Sequence, residues 1–243
     1  MRPNTSSSLC CACVVGALAL VTTLTATAQQ PARSEALNQP CGAIYTNHYG
    51  PLDYRTQRSS IKVVEDFHYT PRVEAALGGS TGPFGGDINY TLKAVPNHHP
   101  ALVSLVRWTE RVKRDQTQGM EWPIECYFVR AITFAPDDTV VRALYAQWLV
   151  KRKRTADAVN QLDAAVEMAG DSAYSHFNLG LLYVETGDLA KALKQAHRAL
   201  ALGFQRQDLV NALKKAGAWR EPPEPEPVAD AASGARSTDA PRN

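Results

Sequence analysis

The sequence predicts an all-α protein built from helical hairpins, and three observations support this. Two apolar stripes with helical spacing flank the turn Thr186-Gly187-Asp188. The same pattern returns about 34 residues earlier in the chain, which is the spacing of a repeat. A short amphipathic segment at 208–216 then follows, where a repeat array needs a helix to cap its open end. We therefore expect an array of helical hairpins closed by a capping helix.

The hairpin at 171–204 carries the clearest pattern. In its first helix Leu179, Leu182 and Tyr183 share one face, and small Gly180 between them allows a second helix to approach closely. Gly187 suits a tight turn, and Asp188 can cap the next helix. The apolar stripe of the second helix consists of Leu189, Ala192, Leu193, Ala196, Ala199, Leu200 and Leu202. Such a hairpin cannot bury its surface alone and needs neighbours.

This hairpin resembles the tetratricopeptide repeat (TPR). The residues at the signature positions are His176, Leu179, Gly180, Tyr183, Gly187, Ala192, Ala199 and Leu202. Two departures stand out, because His176 replaces the usual aromatic residue and Phe204 replaces the closing proline. The resemblance implies a right-handed superhelix whose first helices line a concave face.

Two further copies precede this hairpin. The copy at 139–172 fits well, although Lys153 stands where glycine is usual. A degenerate copy has predicted helices at 100–114 and 124–135, joined by a loop longer than the repeat normally allows. The expected array of about three repeats and a capping helix therefore covers 99–217. The capping helix would turn Leu209, Ala212, Leu213 and Ala216 inward.

The flanking segments differ in composition from the array. Residues 1–28 read as a signal peptide, with a short apolar run and the cleavage motif Ala26-Thr27-Ala28. Cleavage near Ala28 would give a periplasmic or secreted protein with no membrane span. A mobile leader at 29–40 and an irregular, aromatic-rich segment at 41–98 are expected to follow, the latter packing on the array. The Pro/Glu/Ala-rich composition of 218–243 predicts a disordered tail.

Two cysteines follow the predicted cleavage site, Cys41 and Cys126. In an oxidising compartment an isolated pair is a candidate disulfide. It would tie the N-terminal segment to the first repeat. Neither cysteine stands in a C-x-x-C or haem-attachment motif, so these redox and haem functions lack their signatures.

The charge of the chain gives no case for nucleic-acid binding. The formal net charge is +2, and no basic face is evident. The run Lys151-Arg152-Lys153-Arg154 is the exception. We interpret it as a solvated turn, and the alternative is a docking patch for an acidic partner or for anionic lipid.

The sequence contains no recognisable catalytic, metal or cofactor motif. His98-His99 reads as a surface turn, because adjacent histidines on a helix point in different directions and no H-E-x-x-H pattern occurs. Polar residues His48, Asp53 and His68 lie among aromatic residues, and we favour packing for them because no nucleophile stands nearby in a known context.

The resemblance instead points to a partner-binding groove. By position in the repeat, the groove residues are Arg107, Gln147, Lys151, Phe177, Asn178 and Leu181. Asn178 takes the position that often contacts peptide backbone in the family. The Lys/Asn pairs of the family's carboxylate clamp are missing, so a chaperone C-terminus is not the expected ligand.

The sequence thus predicts a non-catalytic adaptor of the cell envelope that binds a peptide or helix of a partner protein in this groove. Two alternatives stay open. One is an enzyme whose site lies in 41–86, with the repeats as its scaffold. The other is a structural subunit that associates with copies of itself.

Overall fold

The computed structural model describes residues 41–45 and 49–222. Within these ranges the protein is all-α, with ten helices and no strand, which confirms the predicted fold class at this level. The predicted signal peptide, the leader, His48 and the tail beyond 222 lie outside the described residues. No helix of the described part is long and apolar enough to cross a bilayer.

The N-terminal segment is more regular than the sequence suggested. It forms α1 (Arg58–His68), the short α2 (Pro71–Glu74) and α3 (Phe84–Ala94). The prediction of an irregular segment at 41–98 is therefore wrong for the three helical stretches between residues 58 and 94. The amphipathic pattern of α1 is clear in retrospect, since Ile61 and Val64 are buried three residues apart while Lys62 and Val63 face solvent.

Seven helices follow, with bounds close to those predicted from the sequence. They are α4 (His99–Val112), α5 (Ile124–Phe134), α6 (Thr139–Lys151), α7 (Thr155–Met168), α8 (Ala173–Thr186), α9 (Leu189–Ala201) and α10 (Asp208–Lys215). Helices α6 and α7 pack on each other, as do α8 and α9. Helices α4, α6, α8 and α10 are successive neighbours, so they form one layer against which α5, α7 and α9 pack.

Side chains just before the helices explain where several of them begin. Asp138 accepts hydrogen bonds from the backbone N–H groups of Val140 and Val141, and Asp188 accepts one from Lys191. Gly187 ends α8 with a positive φ of 82°. Lys153 adopts φ 60° at the corresponding turn after α6, where the repeat pattern would place glycine.

The capping helix α10 packs against α8 at the small residue Gly180. A Cβ atom on Gly180 would overlap the Leu209 side chain and lie 3.2 Å from the Cβ of Gln195. Leu209 and Leu213 are buried, as predicted, but Ala216 is exposed because the helix ends at Lys215.

The predicted cysteine pair is present as a disulfide. The Sγ atoms of Cys41 and Cys126 lie 2.10 Å apart and join residues that are 85 positions apart. Beside it, the buried Arg130 donates from Nη1 to the carbonyl oxygens of Cys41, Gly42 and Ala43. Residues 41–43 are therefore held against α5 by a covalent bond and by a buried guanidinium.

Candidate interaction groove

A groove runs across α4, α6 and α8, on the face of the array that carries the first helix of each hairpin. It consists of two adjoining cavities. The larger, about 330 Å³, lies between α6 and α8. The smaller, about 180 Å³, lies between α4 and α6. Leu144 and Gln147 line both cavities, so the two form one continuous depression.

The larger cavity is mainly apolar. Its floor includes the buried Leu179 and Leu182 and the half-buried Leu144 and Leu181. Two large apolar side chains stand exposed beside it, with Tyr174 62% and Val140 43% accessible. Exposed apolar side chains around an apolar depression indicate an interaction surface, because a partner that buries them removes apolar area from water.

Polar side chains with unused hydrogen-bonding capacity lie along the same groove. Among the described residues, Arg107, Gln147 and Asn178 have no hydrogen-bond or ion-pair partner, and each lines one of the cavities. Lys151, by contrast, donates to Glu110 at 2.8 Å. The groove therefore offers one uncompensated cation and two side-chain amides, each with donors and an acceptor, to an incoming chain.

Five of the six groove residues predicted from the sequence line these cavities: Arg107, Gln147, Lys151, Asn178 and Leu181. The prediction for Phe177 is wrong. Its ring is 2% exposed and packs against Phe204 at a centroid distance of 4.7 Å, with Arg206 over its face. These contacts keep the Phe177 ring out of the groove.

The prediction missed Val140, Leu144, Tyr174 and Glu185, which also line the groove. Helical spacing could have found them. Val140, Leu144 and Gln147 follow i, i+4, i+7 on α6, and Tyr174, Asn178 and Leu181 follow the same spacing on α8.

Three cations of the basic run that begins at the last residue of α6 are paired with acidic residues of the same chain. Lys151 pairs with Glu110, Arg152 with Asp115, and Arg154 with Glu125 at 2.6 Å. Each ion pair joins this region to the preceding hairpin, so the ion pairs connect neighbouring hairpins. Because these cations already have acidic partners, the basic run is better interpreted as a solvated turn than as a docking patch for an acidic partner.

No family model matches this chain. No curated protein matches it either.

A second polar cluster lies where the N-terminal segment meets α4 and α6, and the sequence did not reveal it. His99 Nε2 lies 2.8 Å from the buried carboxylate of Asp138, and Asn97 donates to both Asp138 and Asp53. Burial opposes the charge on Asp138, but the hydrogen bonds from His99, Asn97 and the Val141 N–H outweigh it and lower the pKa of this carboxyl. These hydrogen bonds join three chain segments, at Asp53, at Asn97 and His99, and at Asp138.

The interpretation of His98 as a surface residue is wrong. Its side chain is fully buried and caps α4 by accepting a hydrogen bond from the Ala101 N–H at Nδ1. The tautomer that accepts at Nδ1 carries its proton on Nε2, which lies 3.2 Å from Glu65 Oε1. Burial lowers the pKa of His98 to about 3, so the imidazole is neutral in the folded protein near neutral pH.

Asp53 and His68, two of the residues considered for an enzyme site in 41–86, hydrogen-bond to different partners. Asp53 pairs with Arg55 at 2.7 Å, whereas His68 Nδ1 lies 3.1 Å from Asp87 Oδ1. The two pairs therefore belong to separate networks. No group of three or more His, Cys, Asp or Glu side chains within the described ranges is arranged to hold a metal ion.

Proposed function

We propose that this protein is an exported, non-catalytic adaptor of the TPR type. Its groove across α4, α6 and α8 binds a peptide or helix of a partner protein from the cell envelope. Binding is by surface recognition, with no cofactor and no chemical step.

One observation carries the proposal: the groove combines an apolar floor with polar side chains that have no partner among the described residues. A side chain such as Tyr174, 62% exposed beside an apolar cavity, gains about 1 kcal/mol or more when a partner covers it. Arg107 can add a charge-assisted hydrogen bond. A concave, mainly apolar surface with a few convergent polar groups is the usual form of a binding site.

The arrangement of the helices supports the TPR-type interpretation. The first helices α4, α6 and α8 lie side by side, and α7 and α9 pack behind them as the second helices of the hairpins. The close approach of Leu209 to Gly180 matches the role of the small residue at that repeat position. A repeat array of this kind exposes one extended face for binding.

Export is supported by the apolar N-terminal run with its Ala26-Thr27-Ala28 motif. The disulfide between Cys41 and Cys126 fits the same compartment, because disulfides persist in oxidising surroundings such as the periplasm or the cell exterior.

The test is a capture experiment from envelope extract of the source organism, using a photo-crosslinking amino acid at Gln147, inside the groove. The same amino acid at Phe67 on α1 is the control position, since Phe67 is 63% accessible and lies outside the groove. We expect a discrete crosslinked partner from Gln147 only.

A groove variant then checks the chemistry. Arg107→Glu combined with Tyr174→Ala should abolish the crosslink, while Lys194→Glu combined with Phe67→Ala should retain it. Both variants must first show unchanged helical melting profiles. A crosslink that survives the groove substitutions, or that forms equally from both positions, would contradict the proposal.

A further inference from the structure

The distance between the two cavities of the groove favours a ligand whose backbone is in the polyproline II conformation. Neighbouring packed helices are about 8–10 Å apart, and the two cavities lie on either side of α6. A ligand must therefore present consecutive anchors at about this distance. In a polyproline II segment, residues i and i+3 share a face and lie about 9 Å apart, which matches the spacing.

The unpartnered amides of Gln147 and Asn178 favour the same conformation. An α-helix satisfies its backbone hydrogen bonds internally and has no need of such groups. A polyproline II segment has no internal hydrogen bonds, so its backbone groups require outside partners. Gln147 and Asn178 line the cavities and can donate and accept at once.

The two ends of the groove also differ in charge. Arg107 lies at the α4 end without a carboxylate partner among the described residues, whereas the α6–α8 cavity is apolar and has Glu185 as its charged residue. A ligand that fits this groove has an acidic side chain at the α4 end. Three residues later it has an apolar side chain, which lies between α6 and α8. An acidic side chain at the α8 end would meet Glu185.

The chain itself contains such a segment. Residues 221–229 read Glu-Pro-Pro-Glu-Pro-Glu-Pro-Val-Ala, a composition that favours polyproline II. Glu224 and Pro227 are three residues apart, with the acidic residues first and the apolar Pro-Val-Ala after them. The order of charge and apolar character along the segment matches the order along the groove.

Geometry places this segment in the groove of another molecule. Arg220 accepts a hydrogen bond from His197 on α9 through its carbonyl oxygen, so the chain leaves the array beside α9, whereas α4, α6 and α8 line the groove. Glu224 is two residues beyond the last described position and reaches about 7 Å from it. Arg107 lies three helices from α10, which is about 25 Å at the usual helix spacing.

We propose that the Pro/Glu segment 221–228 of a second copy of this chain binds the groove as a polyproline II segment, with Glu224 on Arg107 and Pro227 beside Tyr174. This inference rests on the proposed groove function and specifies one occupant. Because the tail and the groove belong to different faces, the contact joins molecules head to tail.

The test measures fluorescence anisotropy of a labelled peptide of residues 221–229 titrated with the purified chain. We expect saturable binding, weakened about tenfold or more by Arg107→Glu, since a charge-assisted hydrogen bond is lost. Lys194→Glu on α9 is the matched charge reversal outside the groove and should leave the affinity unchanged. A peptide with Glu224→Lys should lose binding, whereas Glu226→Lys, which has the same net charge but faces outward, should keep most of it.

The decisive experiment combines the two charge reversals: the Arg107→Glu chain should bind the Glu224→Lys peptide better than the native peptide. Light scattering of the chain should show a mass that rises with concentration and stays monomeric in the Glu224→Lys chain. Absence of binding at about 1 mM peptide, equal weakening by Lys194→Glu, or a monomeric mass at all concentrations would overturn the proposal. Crosslinking from Gln147 to an envelope protein in the absence of tail binding would leave the adaptor function intact and reject only this occupant.

Discussion

The side chain of Leu209 on α10 lies against Gly180 on α8, at a place where residue 180 has no room for a Cβ atom. We predict that Gly180→Ala lowers the free energy of unfolding by about 1–2 kcal/mol, because overpacking costs more than the helix propensity of alanine returns. Urea unfolding followed by circular dichroism measures the change.

Gly86 on α3 is the matched control for this substitution. The nearest atom to a Cβ there would be Pro83 Cγ at 3.9 Å, so Gly86→Ala adds no clash. We expect it to stabilise the protein by up to about 1 kcal/mol. If Gly180→Ala were as well tolerated as Gly86→Ala, the close packing of α10 on α8 would be wrong.

The disulfide between Cys41 and Cys126 should make a large contribution to stability. Closing a loop of this length restricts the unfolded chain, and the chain-entropy model gives about 4.5 kcal/mol for the separation of 85 residues. We predict that the double variant Cys41→Ala/Cys126→Ala unfolds at a correspondingly lower urea concentration. Peptide mapping with and without reductant provides the control, and two free thiols in the native protein would contradict the assignment.

Lys153 offers a site where a substitution should stabilise the protein. Its φ of 60° is strained for a residue with a Cβ atom and free of strain for glycine. We predict that Lys153→Gly raises the free energy of unfolding by about 0.5–1 kcal/mol. The same change at Lys194, an exposed position inside α9, should lower it by about 1 kcal/mol. Equal effects at the two sites would contradict the backbone conformation described after α6.

His98 should make the protein sensitive to mild acid. Its pKa is lowered from the ordinary 6.5 to about 3, so between these values the unfolded chain binds a proton that the folded chain does not. Stability therefore falls as the pH drops through this window, by about 2 kcal/mol between pH 7 and pH 5.

The measurement compares urea unfolding at pH 7 and pH 5 for the native chain and for His98→Asn. Asparagine retains an acceptor for capping α4 but does not titrate. The carboxyl groups with lowered pKa values, such as Asp138, remain ionised at pH 5 and contribute little to the difference. We expect a smaller loss in the variant, and parallel losses would show that other groups cause the acid sensitivity.

Local patterns predicted the hairpins well because the hydrogen bonds that form them are local. Apolar spacing, Asp188 as a cap and Gly187 at the turn fixed the ends of α8 and α9 to within a few residues. The groove residues Asn178 and Leu181 followed from their positions in the repeat pattern, which indicate the face of α8 that they share.

Contacts between distant segments escaped prediction for the same physical reason. Phe177 has the helix phase of a groove residue, but Phe204 lies 27 positions later and its ring decides where Phe177 packs. His98 looks like a loop residue until α1 places Glu65 beside it. No local rule describes a side chain whose surroundings come from another part of the chain.

The covalent link between Cys41 and Cys126 also changes what a protease can do to this molecule. The glycine-rich stretch between α2 and α3, with its exposed Ser80 and Thr81, is the kind of loop that proteases cut. A single cut there falls inside the ring closed by the disulfide, so both fragments remain on one particle. The N-terminal helices would then stay bound to the array after nicking, and the break would be visible only on a reducing gel.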